Sequence, residues 1–175
     1  MSVPVRVNDP TRPGFFVKTG QQRTDGLELG LQGSVLPFWD VFGSYSRLSG
    51  RITQPISSGT AATPASVVPA GNKIGLVPEH MIALWNRFEL GAGFTLGLGA
   101  LYQSSSFTSF NNTVTLPDFT RVDGALYYTF AGGKARFALN VENVLNTKYF
   151  PTVDGDNNIS PGAPITVRAT LSAFF

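Results

Sequence analysis

Apolar residues recur at every second position over most of this chain. At its C-terminus, Ile165, Val167, Ala169, Leu171, Ala173 and Phe175 form one set. Thr166, Arg168, Thr170 and Ser172 form the other, with Phe174 out of phase. A period of two places the sets on opposite faces of a strand. The same reading holds for Leu27, Leu29, Leu31 and Val35 against Glu28, Gly30, Gln32 and Ser34. It holds for Phe94, Leu96, Leu98, Ala100 and Tyr102 against Thr95, Gly97, Gly99 and Gln103. Val122, Leu126, Tyr128 and Phe130 oppose Arg121, Asp123, Tyr127 and Thr129, and Phe137, Leu139 and Val141 oppose Arg136, Asn140 and Glu142. Segments 40–53 and 78–90 are also strand-like, although their pattern does not separate the two faces. Seven strands are predicted, and 3–7 reads as the tail of an eighth. Helical periodicity is nearly missing.

The connections alternate in length. Residues 36–39, 91–93 and 131–133 are tight turns, whereas 54–77, 108–117 and 151–163 are long and rich in Ser, Thr, Pro, Gly and Asn. Antiparallel strands that run up and down put every other connection on the same side. Outer-membrane barrels have short periplasmic turns and longer extracellular loops, and a tilted spanning strand needs only about 9–11 residues. The pattern therefore predicts an all-β fold, an antiparallel transmembrane β-barrel segment of seven to eight strands. In lipid only a closed barrel satisfies every strand backbone group. A self-contained eight-stranded barrel with a structural or adhesive role, and a soluble β-sheet binding module, are the alternatives.

Composition narrows the classes of function. In 175 residues there are 13 Lys+Arg, 11 Asp+Glu, one His and no Cys. The formal charge is +2, and charged residues are 14% of the chain against roughly 25% in an average soluble domain. No apolar run approaches a transmembrane helix. Without cysteine there are no disulfides, thiolate metal sites or thiol nucleophiles, and a single His80 excludes multi-histidine metal sites. The basic residues are scattered, so no nucleic-acid partner is expected. The start of the chain lacks the charged and apolar regions of a secretory signal.

Several segments match one family in order and spacing. They are FFVKTGQQRTDGLELGLQGSV (15–35), PFWDVFGSYSRLSGRIT (37–53), GNKIGLVPEHMIALWNRFEL (71–90), LPDFTRVDGALYYTF (116–130), ARFALNVENVLNTKYF (135–150) and the closing PGAPITVRATLSAFF (161–175). By these the chain resembles the C-terminal third of a TonB-dependent outer-membrane receptor, most like the siderophore receptors. It departs from the family pattern at Ala173, Phe174 and Pro164–Ile165. The resemblance implies a place in the outer membrane of a Gram-negative bacterium, in a barrel of about 22 strands with a plugged lumen. It implies a ferric siderophore, the TonB complex, the outer-membrane assembly machinery and the bilayer as partners, with no cofactor. Residues 1–175 would then be the C-terminal part of that barrel. Plug, energy-coupling box and signal peptide have no counterpart in these residues, so the expectation is a fragment inactive alone.

The candidate site residues follow. Gly26, Glu28, Asp123, Asn140, Glu142, Asn143 and Tyr149 lie in the matching motifs and are expected to have structural roles. Asn140, Glu142 and Asn143 read as a polar cluster near the outer end of a strand, lining the lumen, anchoring the last long loop, or simply forming a turn at the strand end, with a structural role favoured. Glu28, Arg121 and Asp123 lie on polar faces and would point into a lumen. Phe175 is read, by resemblance, as part of the signal for assembly. Trp39, Trp85, Phe38, Tyr45, Tyr128 and Tyr149 read as girdle aromatics at the bilayer interfaces. His80 has no G-x-S-x-G partner, so no catalytic residue is expected. Gly91, Gly93, Gly97 and Gly99 read as a turn and as strand positions closely approached by backbones or bulky neighbours, not as a phosphate loop.

Overall fold

The computed structural model describes residues 2–9, 11–57 and 67–175. The middle of the first long loop, 58–66, lies outside the described residues. Eight strands form one antiparallel meander in sequence order. They are β1 (Ser2–Asn8), β2 (Phe16–Leu36), β3 (Trp39–Gln54), β4 (His80–Gly91), β5 (Phe94–Gln103), β6 (Phe119–Phe130), β7 (Ala135–Glu142) and β8 (Thr166–Ala173). The sheet order ends at β1 and at β8, which do not pair with each other, so the described sheet is open. β1 pairs only with residues 16–23 at the start of β2.

Register settles the two faces that the sequence left open in β3 and β4. Leu31, Gly43 and Leu84 are directly opposite one another across β2, β3 and β4, and Leu84 opposes Ala100 of β5. Directly paired residues share a face, so Val41, Tyr45, Ile82, Leu84 and Phe88 join the apolar side. Met81, Ala83, Trp85 and Arg87 lie on the other side with Glu28, Ser44 and Phe42. The apolar face is the exposed one: Leu27, Leu29, Leu31, Leu84, Leu98, Val167 and Leu171 all stand open. An apolar belt with no protein cover fits hydrocarbon as its solvent, because strands facing lipid alternate apolar-out and polar-in.

The buried residues lie elsewhere. Ile52, Ile56, Leu116, Phe119, Tyr149 and Val153 form a small core at the end of the sheet that bears the long loops. Three two-stranded ribbons rise there: Ile56–Ser57 with Val67–Val68, Ser106–Phe107 with Thr115–Leu116, and Thr152–Val153 with Ile159–Ser160. The opposite end is closed by short turns. Gly91 and Gly93 hold φ of 81° and 83° around Ala92 at 50°, a left-handed turn that glycine enters at little cost. The turn between β6 and β7 is a 3-10 element, Ala131–Gly133.

Aromatics divide by height. At the short-turn end, Trp39 stacks on Phe88 at 5.7 Å and Phe94 on Tyr128 at 4.5 Å. The Trp39 Nε1–H donates to Asn86 Oδ1 at 3.0 Å, which satisfies a polar group on the outer face. At the long-loop end, Tyr45 stacks on His80 at 6.1 Å, its hydroxyl 3.0 Å from Nδ1. Two girdle expectations are corrected. Trp85 faces inward, its ring lying over Gly97 and Gly99 of β5 where a Cβ would collide. Tyr149 is buried in the last long loop against Phe119, with centroids 4.7 Å apart and Gly162 against its ring. Aromatic character alone misplaces both, since a large aromatic is apolar enough for lipid and also fills space beside glycine.

Candidate functional site

The polar face has its densest chemistry where β6, β7 and β8 meet the last long loop. On β6, phase two puts Phe119, Arg121, Asp123 and Ala125 on the inner side. Arg121 donates from NH2 (2.8 Å) and Nε (3.2 Å) to Asp123 Oδ2. The other carboxylate oxygen accepts the backbone N–H of Asn143 at 2.8 Å. Arg121 also reaches the Tyr149 hydroxyl at 3.4 Å. Charge-assisted bonds of this kind are the strong ones, and they tie the wall to the loop.

Asn143 is the centre of the anchor. It follows β7 directly, holds φ of 55°, and is 1% exposed. Asparagine tolerates the left-handed region because its short side chain bonds locally. Here the amide donates to the carbonyls of Thr147 (2.9 Å) and Ala163 (3.0 Å), and its oxygen accepts the N–H of Thr147 at 2.8 Å. Asn146 repeats the device at φ 49°, accepting the Ile165 N–H at 3.1 Å. Both flanks of the last loop are thereby pinned before β8 begins.

The loops above are fastened to one another. Asn112 exchanges two bonds with the backbone of Lys73, at 2.8 and 2.9 Å, and Asn72 donates to the Phe110 carbonyl at 2.8 Å. Asp156 of the last loop accepts from Thr108 Oγ1 (2.6 Å) and Asn111 Nδ2 (2.8 Å) of the second. These donors, Thr108 first, hold its carboxyl below the ordinary value, because hydrogen bonds to the charged form favour it. At the β1–β2 connection, Thr11 and then Arg12 lower Asp9 to about 2.

Of the sequence-selected residues, Asp123, Asn143 and Tyr149 are brought into one cluster. Asn140 and Glu142 line a cavity beside it with Trp85, Arg121 and Arg168. Asn140 is directly opposite Arg168, and Glu142 opposite Thr166. Gly26 and Glu28 lie far off on β2; Gly26 is packed against the Arg47 carbonyl and the Leu48 side chain, and Glu28 is opposite Ser46. Phe175 stands fully exposed past the end of β8. Sequence reading missed the Arg87 pair, which bridges Asp40 on β3 (2.8 Å) and Glu89 on its own strand (2.7 Å). It also missed the loop-to-loop clasp at Asp156, since nothing local marks a bond spanning that distance in sequence. His80 is on the outer face, away from this cluster. Among the described residues no three His, Asp or Glu side chains are grouped to hold a metal.

Comparisons with known proteins agree with this architecture. The family described as "TonB dependent receptor-like, beta-barrel" matches residues 2–144. The probable TonB-dependent siderophore receptor PiuA of Acinetobacter baumannii is 28% identical over 140 residues, 79% of this chain and 19% of that protein. The catecholate siderophore receptor Fiu of Escherichia coli K12 is 27% identical over 167 residues, 93% of this chain and 21% of that protein. The chain thus spans about a fifth of the length of these relatives. The crystal structure of PiuA superposes with a TM-score of 0.82 at 22% identity, covering 97% of this chain and 24% of that one.

Proposed function

The chain belongs to the TonB dependent receptor-like, β-barrel family, and from that premise we propose that residues 1–175 are the C-terminal part of the barrel of a longer receptor that imports ferric siderophores. Its place is the outer membrane of a Gram-negative bacterium. The observation that carries the reading is the two-faced sheet: an uncovered apolar belt outside, and inside a polar wall whose upper end is clasped to the loops by Arg121, Asp123 and Asn143. A wall of this kind suits a wet lumen, and pinned loops suit presentation of a fixed surface to a preformed iron chelate. The names of the relatives support a siderophore as cargo.

On this reading the energy for uptake comes from the TonB complex through parts of the receptor other than these strands. No step of catalysis is assigned to any residue here. Gly26, Glu28, Asp123, Asn140, Glu142, Asn143 and Tyr149 hold wall and loop in shape, and Phe175 is read by the assembly machinery. The open edges at β1 and β8 favour a segment of a larger barrel over a sealed eight-stranded one, since free edges in lipid leave backbone groups unsatisfied.

The test is an antiserum to this chain, used on outer membranes of iron-starved source cells, paired with uptake of iron-loaded siderophores after disruption of the gene. We expect a band several times larger than 18.7 kDa and loss of uptake of at least one siderophore. A membrane band at the chain's own mass would favour a self-contained barrel, and unimpaired uptake of every siderophore tried would remove the transport reading. Deleting Phe175 from the native protein is expected to lower the amount of heat-modifiable, folded barrel in the membrane. An unchanged amount would end its assignment as an assembly signal.

A further inference from the structure

We infer that a recess in the loop platform binds a neutral, hydroxyl-bearing ring of monosaccharide size. It opens where the first long loop leaves the sheet. The Ile74 N–H bonds to the Gly50 carbonyl at 3.0 Å, and the Leu48 N–H to the Glu79 carbonyl at 2.9 Å. Only Ser49 lies between those contacts on β3, whereas residues 75–78 bow out between them on the loop side. The bowed segment turns instead to the ribbon of Ser106–Phe107 and Thr115–Leu116. There the Leu76 N–H bonds to the Phe107 carbonyl at 2.8 Å, and Gly75 lies against the backbone of Ser109. Strand edge, bow and ribbon surround about 120 Å³, a little under the roughly 150 Å³ of a cavity that takes up benzene.

Two features mark the recess as more than a packing gap. Ser106 lines it, is 7% exposed, and carries a hydroxyl with no partner among the described residues. A buried hydroxyl left unpaired is costly, and a water or an ion usually accounts for one. A change of χ1 rotamer is the only movement that a ligand in the recess would require of it. Leu76, in the bowed segment, holds φ of 58°. A leucine enters that region only when its surroundings impose it, and such strain gathers at binding sites.

The lining chooses the class of ligand. Ser49, Ser105, Ser106 and Thr115 carry hydroxyls, and Lys73 and Glu79 bring one charge of each sign. Glu79 is engaged only at long range, 3.4 Å from Arg47 and 3.5 Å from Lys73, against the roughly 2.7–2.9 Å typical of charge-assisted bonds. Arg47 first, and then Lys73, hold its carboxyl below the ordinary value, so at neutral pH it only accepts. An anion in the recess would meet that carboxylate, and a cation would meet Lys73. One hydroxyl of a sugar can donate to Glu79 while its neighbour accepts from Lys73. Leu48, Val77 and Phe107 add apolar surface for the C–H face of the ring, the mixture expected of a small-molecule site. The volume takes one ring, with its outer hydroxyls at the mouth.

The test uses the native protein that contains these residues, purified in a zwitterionic detergent without a sugar headgroup. Saturation-transfer NMR is run with D-glucose, D-galactose and D-mannose, and binding is titrated for each sugar that responds. We expect at least one to respond. Glu79→Gln should then weaken its binding about ten-fold, the loss of one hydrogen bond to a charged group, and Ser106→Ala several-fold. Lys134→Gln, at the short-turn end, should leave it unchanged, and sodium sulfate should not compete. The heat-modifiable band checks that each variant is folded, and siderophore uptake is followed separately in cells. Neither misfolding nor failed transport can then pass for lost sugar binding. A free sugar and the end of a glycan present the same ring. Binding kept by the matching trisaccharide points to the glycan end, binding lost on lengthening points to the free sugar, and both uphold the inference. No response from all three sugars would overturn it and leave the recess to water. Equal binding by wild type, Glu79→Gln and Ser106→Ala would do the same, as would displacement of the sugar by sulfate.

Discussion

Ile52 and Leu84 are large aliphatic residues on adjacent strands of one sheet, yet Ile52 is 1% exposed and Leu84 is 42% exposed. Ile52 lies at the loop end on the inner side, where its backbone bonds to Gly71 and Asn72 of the first long loop. Leu84 lies in mid-wall on the outer side with Leu31 and Ala100 as its row. The loop end behaves as a small water-soluble domain that must bury its apolar groups against itself. The wall leaves them to the bilayer. Apolarity is the same in both regions, and the solvent each meets differs.

This contrast can be broken at several points. The largest effect is expected from truncation at the loop end. Ile52→Ala opens a packed site and should cost about 2–5 kcal/mol, while Leu84→Ala should cost much less because lipid chains fill the gap. Unfolding by denaturant from vesicles measures both, and equal costs would erase the distinction. Leu84→Arg comes next. A cation on the lipid side near mid-wall should cost about 2–4 kcal/mol, read in the same assay, and a neutral outcome would mean that this face meets water.

Asn143→Ala should act only at the loop end. It leaves the Thr147 N–H and the Thr147 and Ala163 carbonyls without their partner. The expected loss is about 1–3 kcal/mol, seen first as protease cleavage within 147–163 while the wall stays intact. The smallest effect concerns Asp156. Its carboxyl is held below the ordinary value by Thr108 and Asn111. A depressed carboxylate contributes fully above its unfolded pKa and loses that contribution as pH falls through the folded value. Hydrogen exchange at 108–113 should therefore quicken on acidification below the ordinary carboxylate range, and Asp156→Asn should remove that dependence.

Much of the wall was legible before any coordinates. Val167, Leu171 and their partners reveal the outer face because alternation is a local property of an extended backbone. The glycines at 97 and 99 correctly signalled a close approach, though not that Trp85 makes it. Phe42 and Trp85 defeated the face assignment of β3 and β4 because apolar residues occur on both sides of those strands. Tyr149 misled for a related reason: nothing beside it in sequence indicates that Phe119 and Gly162 enclose it. Asn140, Glu142 and Asn143 were visible as a polar motif, but that Asp123 clasps the backbone of Asn143 was not.

The sequence by itself determined the all-β class, the rhythm of short and long connections, the two faces of most strands, and the family. The faces depend on residues within a strand's length of one another, and the rhythm and the family on the order of segments along the chain. Only the tertiary structure decided that β1 covers just the first part of β2, that three loops lock into one platform over a small core, and that Ser49, Glu79 and Ser106 meet around one recess at the loop end. Those outcomes depend on register between strands and on bonds between loops tens of residues apart. A one-residue slip would move every side chain to the other face, so they are fixed only when the whole sheet is in place.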